Sequence, residues 1–368
     1  MTITRSTAAA AIALTGALAL SACGSDNNTT TAGSSAASSG AAGASATDCP
    51  TGTLKAEGSS AQKNAIEAAI KSFQTKCPDV TINYNPSGSG AGIKNFNAGQ
   101  VDFAGSDSSL KDDEATAAQA TCGAPAWDLP MVTGPITIAY NVKGVDKLAL
   151  SGDVAFKLFS GAITKWNDPA IAALNKGVTL PATDIKVFFR SDESGTTDNF
   201  LKYLKAAGGS TIETGKKWGG KVGEGKEKSA GVASAVKAQD GGVTYVEWSY
   251  AKQNALGIAA IDTGAGAVEL TSASVGKMIA TAKQKGTGND LSLSLDYATK
   301  EPGAYPINLV TYEIVCSKYK DAAKGKAVKA FLKHFASTEV QTQLEAEGYA
   351  PLPTEVAAKV ATAIDAIG

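Results

Sequence analysis

The stretch FFRSDESGTTDNFLKYL, residues 188–204, holds Arg190; the only other arginine in the chain is Arg5, close to the initiating Met. Apart from His334, every other basic side chain is lysine. Arginine presents a planar fork of N–H donors that grips a tetrahedral oxyanion through two parallel hydrogen bonds, which the lysine ammonium does not reproduce. Ser194, Gly195 and Thr196 follow closely, two hydroxyls around a residue without a Cβ, at the start of a helix-forming run. The first N–H groups of a helix have no intrahelical partner and favour anions. Two more junctions of the same make occur, EGSSAQKNAI with Ser60 and PSGSGAGIKNF with Ser89. One serine at a helix start is ordinarily an N-cap. Three of them, joined by the lone arginine, read as a converging anion site. The competing reading of Arg190 is a surface ion pair with Asp192 or Glu193.

The elements that must position these residues alternate. GTLKAEG (52–58) reads as a strand, and AQKNAIEAAIKSFQTK places Ala65, Ile66, Ala69, Ile70 and Phe73 on one helical face. DVTINYN reads as a strand, GAGIKNFNAG as a short helix and VDFAGSD as a strand ending in a turn. DIKVFFR is a strand leading into the helix TTDNFLKYLKAAG. Such alternation predicts an α/β fold with parallel strands, crossover helices and more than one sheet. Anion donors then gather at the carboxyl ends of the strands, where such sheets bind ligands.

With 368 residues, 43% hydrophobic and 19% charged, the chain has the composition of a globular protein large enough for two domains. Its net charge of −1 supplies no basic surplus for nucleic acid. Residues 1–22 read as an export signal, a cationic start followed by a short apolar run. Leu20-Ser21-Ala22-Cys23 has the form of a bacterial lipobox, with Cys23 as the lipidated (palmitate-bearing) residue. Residues 23–48, rich in Ser, Gly, Ala and Thr, read as a flexible tether averaging roughly 25–30 Å. The expectation is a domain held at the outer face of the cytoplasmic membrane by its lipid anchor alone. Cys49, Cys77, Cys122 and Cys316 remain, an even number in an exported chain, and their spacing suits disulfides rather than zinc. Three connectivities are possible; a local Cys49–Cys77 staple is geometrically easy and would leave Cys122 with Cys316.

The segments EGSSAQ, SGSGAGIKNF, VDFAGSDSSL, ITKWNDPAIAALN, RSDESGTT, GGVTYVEWSYAKQN and EGYAPLP occur in this order between about residues 53 and 354. Together they resemble the periplasmic phosphate-binding proteins of ATP-driven phosphate uptake, the PstS family. That resemblance implies a two-lobed venus-flytrap fold of type II with two interlobe crossovers, near Thr133–Ile138 and Ala304–Ile307. Residues 49–135 and 306–368 would form one lobe and 136–305 the other. Carried onto this sequence, the implied phosphate contacts are Ser59, Ser60, Ala61, Ser89 and Asp107 from one lobe. Arg190, Ser194, Gly195 and Thr196 come from the other, with Asp192 orienting the arginine. Ala61 stands where many relatives have phenylalanine, a role filled mainly by its backbone N–H. The implied partners are inorganic phosphate and the membrane permease of an ABC transporter, with the protein acting as a monomer and without a cofactor.

Asp107 is the unexpected member, because a carboxylate facing an anion repels it. Its simpler reading is a turn cap in GSDSSL. In the functional reading it accepts a hydrogen bond from a ligand that carries a proton, which phosphate has and sulfate lacks. Three rivals stand beside phosphate capture. A binding protein for sulfate, molybdate or arsenate would use the same donors. A phosphatase-like hydrolase with a serine nucleophile needs a base, and the one histidine, His334, lies on the amphipathic helix KAVKAFLKHFAST with Val328, Phe331, Leu332 and Phe335 on its apolar side. A surface adhesin would leave the anion-site residues without a purpose.

Overall fold

The computed structural model describes residues 49–368. The signal and tether readings, with lipidation at Cys23, lie outside the described residues. The chain opens with β1 (Gly52–Gly58), α1 (Lys63–Lys76), β2 (Val80–Asn85), α2 (Ser89–Asn97), β3 (Phe103–Ser106) and α3 (Asp112–Cys122). A long strand, β4 (Ala126–Asn141), leads into β5 (Ala149–Ser151), α4 (Gly152–Ser160), α5 (Pro169–Leu174), β6 (Lys186–Arg190), α6 (Gly195–Gly208), β7 (Glu224–Lys226) and α7 (Lys228–Ala238). Then come β8 (Gly242–Glu247), α8 (Trp248–Gln253), β9 (Gly257–Ile258), β10 (Ala260–Asp262), β11 (Ala267–Val268), α9 (Ser272–Ala280), β12 (Lys283–Gln284) and β13 (Leu293–Ser294). The return strand β14 (Asn308–Cys316) is followed by α10 (Ala322–Phe335), α11 (Thr338–Ala346) and α12 (Thr354–Asp365).

The helices form where the apolar spacing demands a buried face. The five apolar residues read on α1 are all buried, and Val328, Phe331, Leu332 and Phe335 of α10 meet them, with Phe73 edge-on to Phe331 at 5.6 Å between centroids. This cluster and Phe103 form one core. A second core gathers Ile138, Leu158, Phe159, Trp166, Phe200, Leu204 and Tyr245. Burial of such side chains contributes on the order of 1.5–3 kcal/mol each.

The sheet differs from the sequence expectation in an instructive way. Strands β1, β2 and β3 pair in parallel, as do β6, β7 and β8. Between the two parallel groups stand β14 and β4, antiparallel to each other and to their outer neighbours, so one mixed sheet runs β2-β1-β3-β14-β4-β8-β6-β7. Two small sheets, β11-β10-β5 and β12-β13, complete the set among the described residues. β4 changes partner within its length: Ala126–Pro135 pairs with β14, and Ile136–Asn141 pairs with β8. One continuous mixed sheet thus joins the two parallel groups through β14 and β4, where the sequence predicts separate sheets.

Cys49 is bonded to Cys77, just beyond α1, and Cys122 at the end of α3 to Cys316 at the end of β14. The second bridge spans 194 residues and fastens the end of the return strand β14 to the end of α3.

Candidate functional site

Arg190 ends β6 and is 2% exposed. Its Nε donates to Asp192 Oδ1 at 2.7 Å and its Nη2 to Asp192 Oδ2 at 2.5 Å. The ion pair offered as the simpler reading thus exists, but it is buried, and Glu193 turns outward to Lys217 at 3.1 Å. With two donors held by Asp192, the guanidinium turns Nη1 toward Ser229 Oγ at 3.1 Å and Thr196 Oγ1 at 3.5 Å. Asp192 is fixed from behind by the Lys228 N–H at 2.9 Å. Burial alone would raise the Asp192 carboxyl; the hydrogen bonds and charge of Arg190, with the Lys228 N–H, outweigh it and hold Asp192 below the ordinary carboxylate range. Burial likewise opposes the charge on Arg190, and Asp192 more than compensates, so the guanidinium is raised.

Helix α6 starts beside it. Ser194 is the N-cap, its Oγ accepting the Thr197 N–H at 3.2 Å, while its own N–H donates to the Lys216 carbonyl at 2.8 Å. The Thr196 hydroxyl donates to Glu247 Oε1. Gly195 is required by close approach: a Cβ there would lie 2.6 Å from Asp107 Cβ and 2.7 Å from Ser89 Oγ. Across the cleft, Gly88 at φ +106° starts α2, and a Cβ there would lie 2.7 Å from Asp192 Oδ2.

The facing half is built around Asp107, which follows β3 and is 3% exposed. Three hydroxyls donate to its carboxylate: Ser59 at 2.5 Å and Thr311 at 2.8 Å to Oδ1, and Ser89 at 3.1 Å to Oδ2. Burial pushes this carboxyl up; the Ser59 bond lowers it, the Glu247 charge raises it again, and the result is about 6. Ser89 Oγ also accepts the N–H groups of Asp107 and Gly195, both at 3.2 Å.

One assignment changes. The sequence places the Ser60 hydroxyl at the start of the first helix; in the structure it is Ser59 whose Oγ accepts backbone N–H groups, those of Ala61 at 3.1 Å and Gln62 at 3.4 Å, in the turn just ahead of α1. The Ser60 side chain points to Ser229 Oγ, 3.1 Å away, and its carbonyl accepts the Tyr250 hydroxyl at 2.9 Å. The structure brings Ser59, Ser60, Ala61, Ser89, Asp107, Arg190, Asp192, Ser194, Gly195 and Thr196 into one hydrogen-bonded cluster. Its rim is closed by Ser108 Oγ on Asp198 at 2.7 Å, Asn199 Nδ2 on the Asp107 carbonyl at 2.6 Å and Lys216 Nζ on Glu114 at 2.9 Å. A buried cluster of hydroxyls and N–H groups, with a guanidinium on one side and a carboxyl on the other, suits a small oxyanion that both accepts and donates hydrogen bonds.

His334 is elsewhere. Its Nε2 meets Ser72 Oγ at 2.6 Å between α10 and α1, with the ring beside Phe73. Burial and the charge of Lys76 lower its pKa. The serines of the cluster therefore have no histidine beside them.

A PBP superfamily domain model matches residues 22–339. Phosphate-binding protein PstS 3 of Mycobacterium tuberculosis (strain ATCC 25618 / H37Rv) is 49% identical over 374 residues, covering 100% of both chains. The chain belongs to the PstS family. Phosphate-binding protein PstS of Xylella fastidiosa (strain Temecula1 / ATCC 700964) is 34% identical over 291 residues, 76% of each chain. Among solved structures, a phosphate-binding protein from Stenotrophomonas maltophilia has a TM-score of 0.64 at 19% identity, over 85% of this chain and 94% of that one. A high affinity periplasmic phosphate-binding protein solved with phosphate has a TM-score of 0.67 at 22% identity, over 84% of this chain and 93% of that one. These likenesses show the two-lobed α/β fold.

In this PstS member the cluster also contains residues that were not singled out from the sequence. Ser229 is the second residue of α7 at a fourth strand-to-helix junction, after Lys228 at φ 63°. The junction rule that found Ser60, Ser89 and Ser194 applies equally to KEKSAGV. Glu247 closes the otherwise uncharged strand GVTYVE, and an acid there is the available signal. Thr311 lies within a strand whose nine residues are all buried. Nothing local distinguishes it.

Proposed function

We propose that this protein is an extracytoplasmic lipoprotein, anchored through Cys23, that captures inorganic phosphate between its lobes and delivers it to the permease of an ABC transporter. It acts as a monomer and binds its ligand without transforming it. The observation that carries the reading is Asp107: a buried carboxyl tied to the same cluster as the buried Arg190. An anion held there gains from donors on one side and must offer a proton on the other. Phosphate does so near neutral pH. Sulfate does not, and it would leave a buried carboxylate facing a like charge, a penalty of several kcal/mol.

In this reading Ser59, Ser60, Ala61, Ser89 and Asp107 contact phosphate from the lobe of residues 49–135 and 306–368. Arg190, Ser194, Gly195 and Thr196 contact it from the lobe of residues 136–305, and Asp192 orients the guanidinium. The partner change of β4 between Pro135 and Ile136 supports that boundary. The binding-protein names of the relatives and the separation of His334 from the cluster support binding over hydrolysis. Titration calorimetry of the chain with phosphate, sulfate, arsenate and molybdate tests the assignment. One phosphate per chain with no heat from sulfate or molybdate is expected. Binding of sulfate or molybdate in place of phosphate would overturn it.

A further inference from the structure

Glu247 is fully buried at the end of β8, paired in the sheet with Ile136 at the point where β4 changes partner. Its Oε1 receives the Thr196 hydroxyl, while its Oε2 is buried without a hydrogen-bond partner. Its charge acts on Asp107 from the opposite half of the site, on Arg190 of β6, on Tyr250 of α8 and on Tyr349. Glu247 makes no hydrogen bond to Arg190, whose Nε and Nη2 are held by Asp192, although its charge favours the guanidinium. Inside the rim, Arg190 and Lys228 face three carboxyls, Asp192, Asp107 and Glu247, with a fourth, Glu313, buried behind Asp107. A site built to hold an anion thus carries an excess of acid.

The hydroxyl protons lead to the same place. Ser59, Ser89 and Thr311 give theirs to Asp107, and Thr196 gives its only proton to Glu247. A hydroxyl has a single proton to donate. The Thr196 hydroxyl is therefore free to donate to a bound anion only once Glu247 no longer needs it.

We propose that Glu247 is a second acidic selector, and that the anion enters with a proton for Glu247 as well as one for Asp107. This rests on the phosphate reading above. Dihydrogen phosphate brings both protons, one shared with each carboxyl. Monohydrogen phosphate brings one, so its binding draws a further proton from solvent, which comes to lie on Glu247 Oε2 and releases the Thr196 hydroxyl to the ligand. No bond other than O–H is made or broken. Glu247 thereby favours protonated oxyanions from the Arg190 side, as Asp107 does from the other.

The test is calorimetric titration of the full chain with inorganic phosphate in buffers of different ionisation enthalpy, which counts protons taken up on binding. At pH 8, where the free ligand is chiefly monohydrogen phosphate, wild type is expected to take up about one proton per phosphate, with affinity falling up to ~10-fold per pH unit above neutrality. At pH 5.5 the uptake falls toward zero. Glu247→Gln keeps an acceptor for Thr196 and removes the acid, so it should lose the uptake at pH 8, flatten the pH profile and bind phosphate more tightly there than wild type. Uptake unchanged in Glu247→Gln overturns the proposal. Should Glu247→Gln fail to fold, binding by wild type at pH 8 without proton uptake overturns it as well. Failure of wild type to bind phosphate at any pH would instead strike the phosphate reading itself.

Discussion

The two halves of the cluster hold their protons in opposite ways. On the Arg190 side the cation is fixed first: Asp192 takes two of its donors, and Ser194, Gly195 and Thr196 begin a helix against it. On the Asp107 side an acceptor is fixed first, and the hydroxyls of Ser59, Ser89 and Thr311 point into it. The first half attracts any oxyanion, and the second admits one that can give a proton. Affinity and selectivity therefore reside on different elements, and Gly195 and Gly88, by lacking a Cβ, let the halves approach closely enough to read one ligand.

The strongest way to break this contrast is on the attracting side. Arg190→Ala removes the guanidinium donors, so phosphate binding should disappear from calorimetry, and it leaves Asp192 partly buried without its cation, which costs about 3–5 kcal/mol of stability. The milder Arg190→Lys keeps the charge and loses the fork, and a weakening of about 1.5–3 kcal/mol is expected. Affinity equal to wild type in the lysine variant would remove Arg190 from the site.

On the selecting side, Asp107→Asn exchanges an acceptor for a group that donates as well. It should keep appreciable phosphate binding and lose part of its rejection of sulfate, read as a measurable sulfate affinity. Sulfate excluded as fully as in wild type would mean that Asp107 is not the selector.

Glu313 sharpens the comparison from behind Asp107. It is fully buried on β14 with neither carboxyl oxygen hydrogen-bonded, and burial first, reinforced by the Asp107 charge, pushes its carboxyl to about 8. A folded-state pKa above the unfolded value means stability that is complete at low pH and is lost as pH rises through about 8. Glu313→Gln should lie close to wild type in Tm at pH 5 and exceed it at pH 9 by up to about 5 kcal/mol of stability, since the rise from 4.5 to about 8 is worth about 1.4 kcal/mol per pKa unit. Identical Tm profiles would show that Glu313 titrates without penalty.

The smallest effect belongs to His334→Ala, which removes a contact with Ser72 far from the cluster. Phosphate affinity should stay within about twofold, with stability reduced by about 1 kcal/mol. Loss of binding there would mean that the histidine reports on the site.

Much of this arrangement was legible in the sequence because it is local. Helix α1 declares itself by spacing, and Arg190 by being alone. The order of segments carried the fold. What stayed hidden depends on pairings made across the chain. Thr311 reaches Asp107 only because β14 returns antiparallel between β3 and β4, a sheet order that alternation of strands and helices does not predict. In GSSA the two serines have the same chemistry, and only the turn ahead of α1 decides that Ser59 accepts the Ala61 N–H while Ser60 crosses to Ser229. Glu247 reads as part of a strand until Thr196 is brought against it.

The central claim is that one oxyanion is held between Arg190 and Asp107. A crystal structure of the chain grown with phosphate tests it most directly. The account predicts a single phosphate with one oxygen within hydrogen-bond distance of the Arg190 guanidinium and another facing the Asp107 carboxyl, at the start of α6. A phosphate bound elsewhere, or one touching Arg190 with Asp107 turned away from it, would contradict it.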